Sequence, residues 1–207
     1  QFTGVSDSTV TANAISQPLP TVGTVTPLIP ELSPTQTIYD GVTSLQSLNV
    51  NEAWNYSQGA GVIIAVIDSG VDMTLPQFQN NLLDGWNFLN NTANFTDQYG
   101  HGTAIAGVIS AIAPDVKIIP LKVLDANGNG SIQNVIEAIR YAADMGAKVI
   151  NLSLGADMST LSQDAIDQLH QAIIYASNKG AVVVVAAGNA GDDISKYYPA
   201  SFNEVLA

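Results

Sequence analysis

Three side chains suited to catalysis each stand in a short motif beside a strand end or a helix start. Asp68 follows the apolar run 62–67, His101 lies between two glycines, and Asn189 follows the apolar run 181–187. A carboxylate can orient a histidine, a histidine can move protons near neutral pH, and an amide can donate to a developing oxyanion. Each residue alone also fits a structural role, such as a turn aspartate or an Asx turn. Together the three motifs indicate one catalytic site.

Strands and helices alternate around these motifs. Four apolar runs predict strands buried on both faces or nearly so, at 62–67, 116–123, 149–154 and 181–187. Apolar residues at helical spacing predict three helices, at 102–112, 131–146 and 160–180. The alternation predicts an α/β fold with a mainly parallel sheet and helices on both faces. Ligands of such sheets bind at the carboxyl ends of the strands, which is where the candidate residues follow.

Individual residues add local predictions to this outline. Pro120 predicts that its strand lies at an edge or contains a bulge, because proline cannot donate to a strand pair. Ser131 is expected to cap the second helix and Gly146 to end it. Thr160 and Gln163 have the spacing of a capping box for the third helix.

Composition excludes several classes of protein. The 207 residues carry a net charge of −12, and the first Lys or Arg is Lys117, so we expect no nucleic-acid partner. The absence of cysteine excludes disulfides and thiolate catalysis. The longest apolar run, 181–187, is far shorter than the roughly 18 residues of a membrane span. Five of the nine prolines fall within 1–40, which predicts an extended N-terminal arm ahead of a folded part at 41–207.

Three motifs carry a family resemblance. Val66-Ile67-Asp68-Ser69-Gly70, Gly100-His101-Gly102-Thr103 and Ala186-Ala187-Gly188-Asn189 resemble the aspartate, histidine and oxyanion motifs of subtilases, the subtilisin-like serine proteases. The resemblance covers roughly residues 45 to 207. It implies that Asp68 accepts the Nδ1–H of His101, that His101 is the base for a serine, and that Asn189 donates to the oxyanion.

The same resemblance implies two substrate-binding segments. Gly128-Asn129-Gly130 resembles a strand to which an extended peptide can add, and Ser153-Leu154-Gly155 resembles the wall of the primary specificity pocket. Both segments can also be interpreted simply as a turn and a strand end. The implied function is an endopeptidase that hydrolyses extended polypeptides. The alternative is an inactive subtilase-like module that binds peptides without cleaving them.

The nucleophile motif of the family, Gly-Thr-Ser, does not occur in the sequence. We therefore expect residues 41–207 to form the N-terminal part of a peptidase domain, incomplete at its C-terminus, whose serine lies beyond Ala207. The C-terminal remainder of the domain is then an expected partner, and residues 1–207 alone are expected to be inactive and unstable. The resemblance also implies a secreted enzyme. A nucleotide-binding α/β domain is a third class, but no Gly-rich phosphate loop follows the first strand.

We predict no metal and no cofactor from these residues. Some subtilases bind calcium through aspartates ahead of the histidine motif, and calcium prefers several oxygen ligands that include carboxylates. This chain has Asn90, Asn91 and Asn94 there, and among them only Asp97 is charged. Calcium in the complete domain stays open, without a clear motif.

Overall fold

Six parallel strands form the central sheet in the computed structural model, which describes residues 9–11, 48–189, 191 and 193–207. Across the sheet the strands are β10 (Val205–Leu206), β8 (Val182–Val185), β6 (Val149–Leu152), β2 (Ile63–Asp68), β4 (Lys117–Lys122) and β3 (Trp86–Asn87). Two short antiparallel pairs accompany the sheet: β1 (Thr9–Thr11) with β5 (Asn129–Ser131), and β7 (Ala156–Asp157) with β9 (Tyr197–Tyr198). The predicted α/β class with a parallel sheet is confirmed.

Helices cover both faces of the sheet around β2 and β4. The described helices are α1 (Val50–Ala53), α2 (His101–Ile112), α3 (Ile132–Asp144) and α4 (Gln163–Asn178). On one face α3 and α4 join a large core that includes Ala65 and Ile67 of β2. On the other face α2 packs with Val66 of β2 and Ile118 of β4. The alternation of side chains along each strand therefore divides the apolar residues between two cores.

The two long helices begin at serine caps. Ser131 caps α3 as predicted, its hydroxyl accepting from the amide of Asn134 at 3.2 Å. Ser162 caps α4 by accepting from the amide of Ala165 at 3.2 Å. The prediction of a Thr160–Gln163 capping box is wrong, because Thr160 ends a 3₁₀ turn (Met158–Thr160) and the serine after it occupies the capping position.

Pro120 lies in β4, which is next to the edge strand β3 of the central sheet. The predicted edge position is therefore wrong by one strand. Its neighbour outside, β3, pairs only with Leu121 and Lys122. The amide of Ile118 donates outward to Asn81, and Pro120, two residues on, faces the same side. The missing N–H therefore falls where β3 does not reach.

One part of the sheet is covered on a single face. Ile150 of β6 and Val183 of β8 are fully buried beneath α3 and α4. On the opposite face, Val184 is half-buried and Val182 is 46% exposed. No described helix covers this second face, so within the described residues β6 and β8 are buried on one face only. Burial of both faces is expected only in the complete domain and stays a prediction. We call Val149, Asn151, Val182 and Val184 the open face.

The N-terminal residues fall mostly outside the described part of the chain. Of the predicted arm at 1–40, the structure describes only β1, and the boundary near residue 40 stays a prediction. Within the described residues, no helix combines the length and apolarity needed to cross a membrane.

Candidate active site

Asp68 is a buried carboxylate at the carboxyl end of β2. Its exposed fraction is 0%. It follows the five apolar residues of β2, at a strand end where a charged side chain more often points to solvent. Its Oδ1 atom accepts the amide N–H of Ser69 at 2.7 Å. A buried charge is costly unless it is paired or hydrogen-bonded, so further donors are expected around it.

His101, the first residue of α2, supplies that partner. Its Nδ1 atom lies 2.9 Å from both carboxylate oxygens of Asp68, and its side chain is 17% exposed. The hydrogen bond to Asp68 raises the pKa of His101 above its ordinary value of 6.5, while burial opposes the rise and the charges of Asp68 and Asp97 add to it. An imidazole held in this way keeps its proton on Nδ1, which leaves Nε2 to act as a base.

Two glycines let the elements that carry this pair approach each other. The amide of Gly102 donates to Ser69 Oγ at 2.9 Å, and a β-carbon on Gly102 would clash with the backbone of Gly70. Gly70 itself has φ +102°, and a β-carbon there would lie 2.1 Å from the carbonyl oxygen of Phe95. Larger residues would therefore separate α2 from the loop that follows β2.

Asp97 anchors the first turn of α2. Its Oδ1 accepts the amides of Tyr99 and Gly100 at 3.0 and 2.8 Å, and its Oδ2 accepts both the amide and the hydroxyl of Thr103. Burial opposes ionisation, but these hydrogen bonds hold the pKa of Asp97 below its ordinary value. Sequence reasoning considered Asp97 only as a calcium ligand; an acidic residue just ahead of a helix start is the signal that indicates an anchor.

The segment Gly128-Asn129-Gly130 enters β5 through a tight turn. Gly128 has φ +77°, and its space is limited by the ring of Tyr99, which a β-carbon would approach to 2.8 Å. The turn is fixed by Asp125, whose Oδ1 accepts the amides of Asn127 and Asn129 at 2.8 and 2.9 Å. The outer side of β5 is the side on which β1 pairs.

The segment Ser153-Leu154-Gly155 follows the carboxyl end of β6. Ser153 Oγ accepts from the side chain of Asn151 at 2.9 Å, and Leu154 is buried. The chain then enters β7, beside which β1 also lies. The strand β1 therefore pairs with the first of the two predicted substrate segments and lies beside β7, which directly follows the second.

Asn189 is exposed and follows β8 after the link 186–188. Because β2, β6 and β8 are parallel, their carboxyl ends share one edge of the sheet, and Asp68, Ser153 and Asn189 all stand beyond that edge. Asp68 and His101 are the two predicted catalytic residues that the structure brings into direct contact. The roles of all the predicted site residues remain predictions.

Lys122 is a functional candidate that sequence reasoning did not single out. It is 3% exposed, and its ammonium donates to the carbonyl oxygens of Ser69 and Leu124. A lysine inside an apolar run, near the carboxyl end of a predicted strand, is the sequence signal that could have found it. Sequence reasoning passed over it because a lysine near a strand end is usually exposed to solvent.

The asparagines ahead of His101 are engaged within their own loop. The side-chain oxygens of Asn90, Asn91 and Asn94 accept from Thr92, Trp86 and Thr96. Across the described part of the chain, no three His, Cys, Asp or Glu side chains form a group that could hold a metal ion.

Comparison with known proteins matches residues 59–207 to the subtilase family, Peptidase_S8. The chain is 40% identical over 187 residues to the thermophilic serine proteinase of Bacillus sp. (strain AK1), covering 84% of this chain and 45% of that protein. It is 38% identical over 172 residues to thermitase of Thermoactinomyces vulgaris, covering 78% and 59% respectively. The crystal structure of a lanthipeptide protease superimposes with a TM-score of 0.71 at 29% identity, covering 86% of this chain and 59% of that one.

The chain spans about half the length of these two curated relatives. Other matched relatives are named as extracellular and as intracellular proteases, so the comparison does not distinguish the two locations. The family assignment needs neither the full length nor the location, because the matched region contains the whole sheet and the Asp68–His101 pair. The chain belongs to the subtilase family of serine proteases.

Proposed function

We propose that this chain provides the acid–base half of a serine endopeptidase that cleaves extended polypeptides. His101 takes the proton of a serine hydroxyl as the oxygen attacks the scissile carbonyl carbon. It then gives that proton to the departing amine, and water repeats the cycle on the acyl-enzyme. Asn189 donates to the oxygen of the tetrahedral intermediate. The serine belongs to a segment outside residues 1–207.

The hydrogen bond between Asp68 and His101 is the observation that carries this proposal. Asp68 is fully buried, whereas the side chain of His101 is 17% exposed, so the pair joins an inner carboxylate to an outer imidazole. The carboxylate stabilises the imidazolium that forms when the serine loses its proton. A histidine with a raised pKa is a stronger base than a free one, provided that the pH lies above that pKa.

The position of β1 supports an extended peptide as the substrate. Thr9–Thr11 pairs antiparallel with Asn129–Ser131 and also lies beside Ala156–Asp157. An edge that accepts one strand of this chain has the backbone geometry to accept a strand from another protein. We propose that substrate adds to this edge and that Ser153-Leu154-Gly155 lines the primary pocket.

The open face supports a second partner, the remainder of the catalytic domain. An apolar sheet face beside a catalytic edge favours coverage by a further segment of the same protein, which would carry the serine. We also propose secretion of the enzyme, no nucleic-acid partner and no resident cofactor. The net charge of −12 favours the second of these.

The test is peptide cleavage by the protein that contains this chain, with fluorophosphonate labelling of its serine. We expect cleavage of extended peptides and loss of activity on labelling. The alternative function, a peptide-binding module without catalysis, shares the β5 edge. Saturable binding of the same peptides without cleavage or labelling would favour the module and contradict the protease.

A further inference from the structure

Lys122 is a buried cation that the proposed reaction does not use. It ends β4 in register with Asp68 of β2, and only 3% of its surface is exposed. Burial lowers the pKa of Lys122, and the carboxylates of Asp97, Asp125 and Asp68 oppose that effect. A buried ammonium is costly unless it is hydrogen-bonded, so its two bonds show what it stabilises.

The ammonium joins two loops at the carboxyl edge of the sheet. It donates to the carbonyl oxygen of Ser69, in the loop after β2, and to that of Leu124, in the loop after β4, the latter at 2.9 Å. Neither loop has regular secondary structure at these positions. The lysine side chain is therefore a direct cross-link between the loops that follow neighbouring strands.

Ser69 connects this cross-link to the catalytic pair. Its amide donates to Asp68 Oδ1 at 2.7 Å, and its hydroxyl accepts from Gly102, the residue after His101, at 2.9 Å. One residue thus contacts the carboxylate, the helix that carries the imidazole, and the ammonium. A contact that holds Ser69 in place therefore also holds Asp68 and His101 in their relative positions.

The other end of the cross-link leads toward the substrate edge. The amides of Val123 and Leu124 both donate to the carbonyl oxygen of Asp68, at 2.8 and 3.2 Å. The next residue, Asp125, folds the turn into Asn129. The loop that Lys122 holds through Leu124 is therefore continuous with β5.

We propose that Lys122 is a positioning residue, whose ammonium holds Ser69 so that the carboxylate of Asp68 stays aimed at Nδ1 of His101. This inference rests on the proposed function of that pair. A methionine would fill much the same volume but would leave the carbonyl oxygens of Ser69 and Leu124 without their donor. Lys122→Met therefore leaves the packing nearly constant and removes the two hydrogen bonds that hold Ser69 and Leu124.

The pKa of His101 shows whether Ser69 still holds Asp68 against His101. The groups that face His101 are the carboxylates of Asp68 and Asp97 and the ring of Tyr99. If Ser69 relaxes, the hydrogen bond that His101 Nδ1 donates to Asp68 weakens, and the pKa of His101 falls toward 6.5. Removal of a nearby positive charge without movement has the opposite sign, because it favours the protonated imidazole. The direction of the shift therefore separates positioning from simple electrostatics.

The test is Lys122→Met in the complete protease. The pKa of His101 is measured by NMR titration of the imidazole signals, to which residues 1–207 contribute only two histidines. We expect a lower pKa of His101 and a kcat reduced about 10- to 100-fold per titrated active site, with KM within about twofold. The matched control is Lys117→Met in the same strand, whose ammonium bonds Asn80 instead, and which should change neither quantity.

A second variant covers the case in which Lys122→Met does not fold. Residues 1–207 contain no cysteine, so Lys122→Cys introduces one thiol into this part of the protease. Alkylated in denaturant before refolding, because the position is buried, it carries either an aminoethyl group that restores the ammonium or a neutral propyl group of the same length. Rescue of kcat by the aminoethyl group alone supports the inference. An unchanged or raised pKa of His101, or equal rescue by both groups, overturns it. If Lys122→Met lowers the pKa of His101 but the wild-type protein cleaves no peptide, the proposed function is contradicted and the positioning inference is not.

Discussion

Gly102 faces the carbonyl oxygen of Gly70 so closely that a β-carbon on Gly102 would lie 2.2 Å from it. This backbone contact joins the start of α2 to the loop after β2, one residue from His101 and two residues from Asp68. The separation of Asp68 and His101 is therefore set by main-chain packing, and their side chains complete the contact. Main-chain packing of this kind cannot relax by a change of rotamer.

Gly102→Ala should therefore damage catalysis out of proportion to its size. The added methyl group must push α2 from the loop, and a displacement of about 1 Å can cost about 10²-fold in rate. We expect kcat/KM to fall by at least about that factor. Gly107→Ala, in the same helix with no atom within 4 Å of its β-carbon, should keep activity and gain up to about 1 kcal/mol in stability. Equal activities of the two variants would contradict the close-approach argument.

Asp68→Asn should change both the rate and its pH dependence. As the base, His101 must be neutral, so in the wild type kcat/KM rises with pH through a pKa above 6.5. Loss of the carboxylate removes the main cause of the raised pKa of His101. The acid limb of the pH profile of kcat/KM therefore moves to lower pH. We expect kcat to fall about 10⁴-fold, the scale known for the corresponding subtilisin residue. Asp72→Asn, a nearby carboxylate bonded to Thr74, is the control, and an acid limb that stays in place in Asp68→Asn would refute the assignment.

Asp97→Ala should destabilise the protein in a pH-dependent way. The loss of four hydrogen bonds at the start of α2 should cost about 1–2 kcal/mol near neutral pH, as the loss of a strong cap does. Because the folded pKa of Asp97 is lower than its ordinary value of 3.8, its contribution is present above that value and is lost as the pH falls through the folded pKa.

Denaturant unfolding at about pH 7 and about pH 3 measures this difference for Asp97→Ala, with exposed Asp84→Ala as a control near zero. The destabilisation should shrink at the lower pH. A cost that is the same at both values would mean that the hydrogen bonds do not favour the ionised carboxylate.

The open face predicts opposite effects of one substitution in two contexts. In residues 1–207 alone, Val182→Asp places a charge on a side chain that is 46% exposed and should reduce aggregation. In the complete protease, the same charge would be buried by the covering segment and should cost more than about 2 kcal/mol. Unfolding free energies and light scattering measure the two effects. A cost below about 0.5 kcal/mol in the complete protein would show that this face is free there.

The sequence was sufficient to predict the α/β class, the parallel sheet and the family. Continuous apolar runs and serine or glycine helix ends are local signals, and Ser131 and Gly146 act where the pattern placed them. The capping-box pair failed because a better cap, Ser162, stood between its members. Local patterns therefore identify an element more reliably than its first residue.

The site was predictable only in part, and for a physical reason. Asp68 and His101 were found because each occupies a motif of its own, although their contact spans 33 positions. Lys122 and Asp97 act through backbone atoms of Ser69, Leu124 and the first turn of α2. Contacts to backbone atoms leave no pairing pattern in a single sequence, because any residue can offer the carbonyl or the amide.

The most direct test of the account compares the two histidines of the chain. His101→Ala in the complete protease should lower kcat by about 10⁶-fold, the scale known for loss of the base in subtilisin. His170→Gln should keep kcat per titrated active site, because His170 contacts Glu204 and Phe202 away from Asp68. The measurement is steady-state cleavage of an extended peptide, normalised to fluorophosphonate-titrated sites in the wild type and in His170→Gln, and to total folded protein in His101→Ala. Near-wild-type turnover in His101→Ala would contradict the claim that the Asp68–His101 pair is the base of a serine protease.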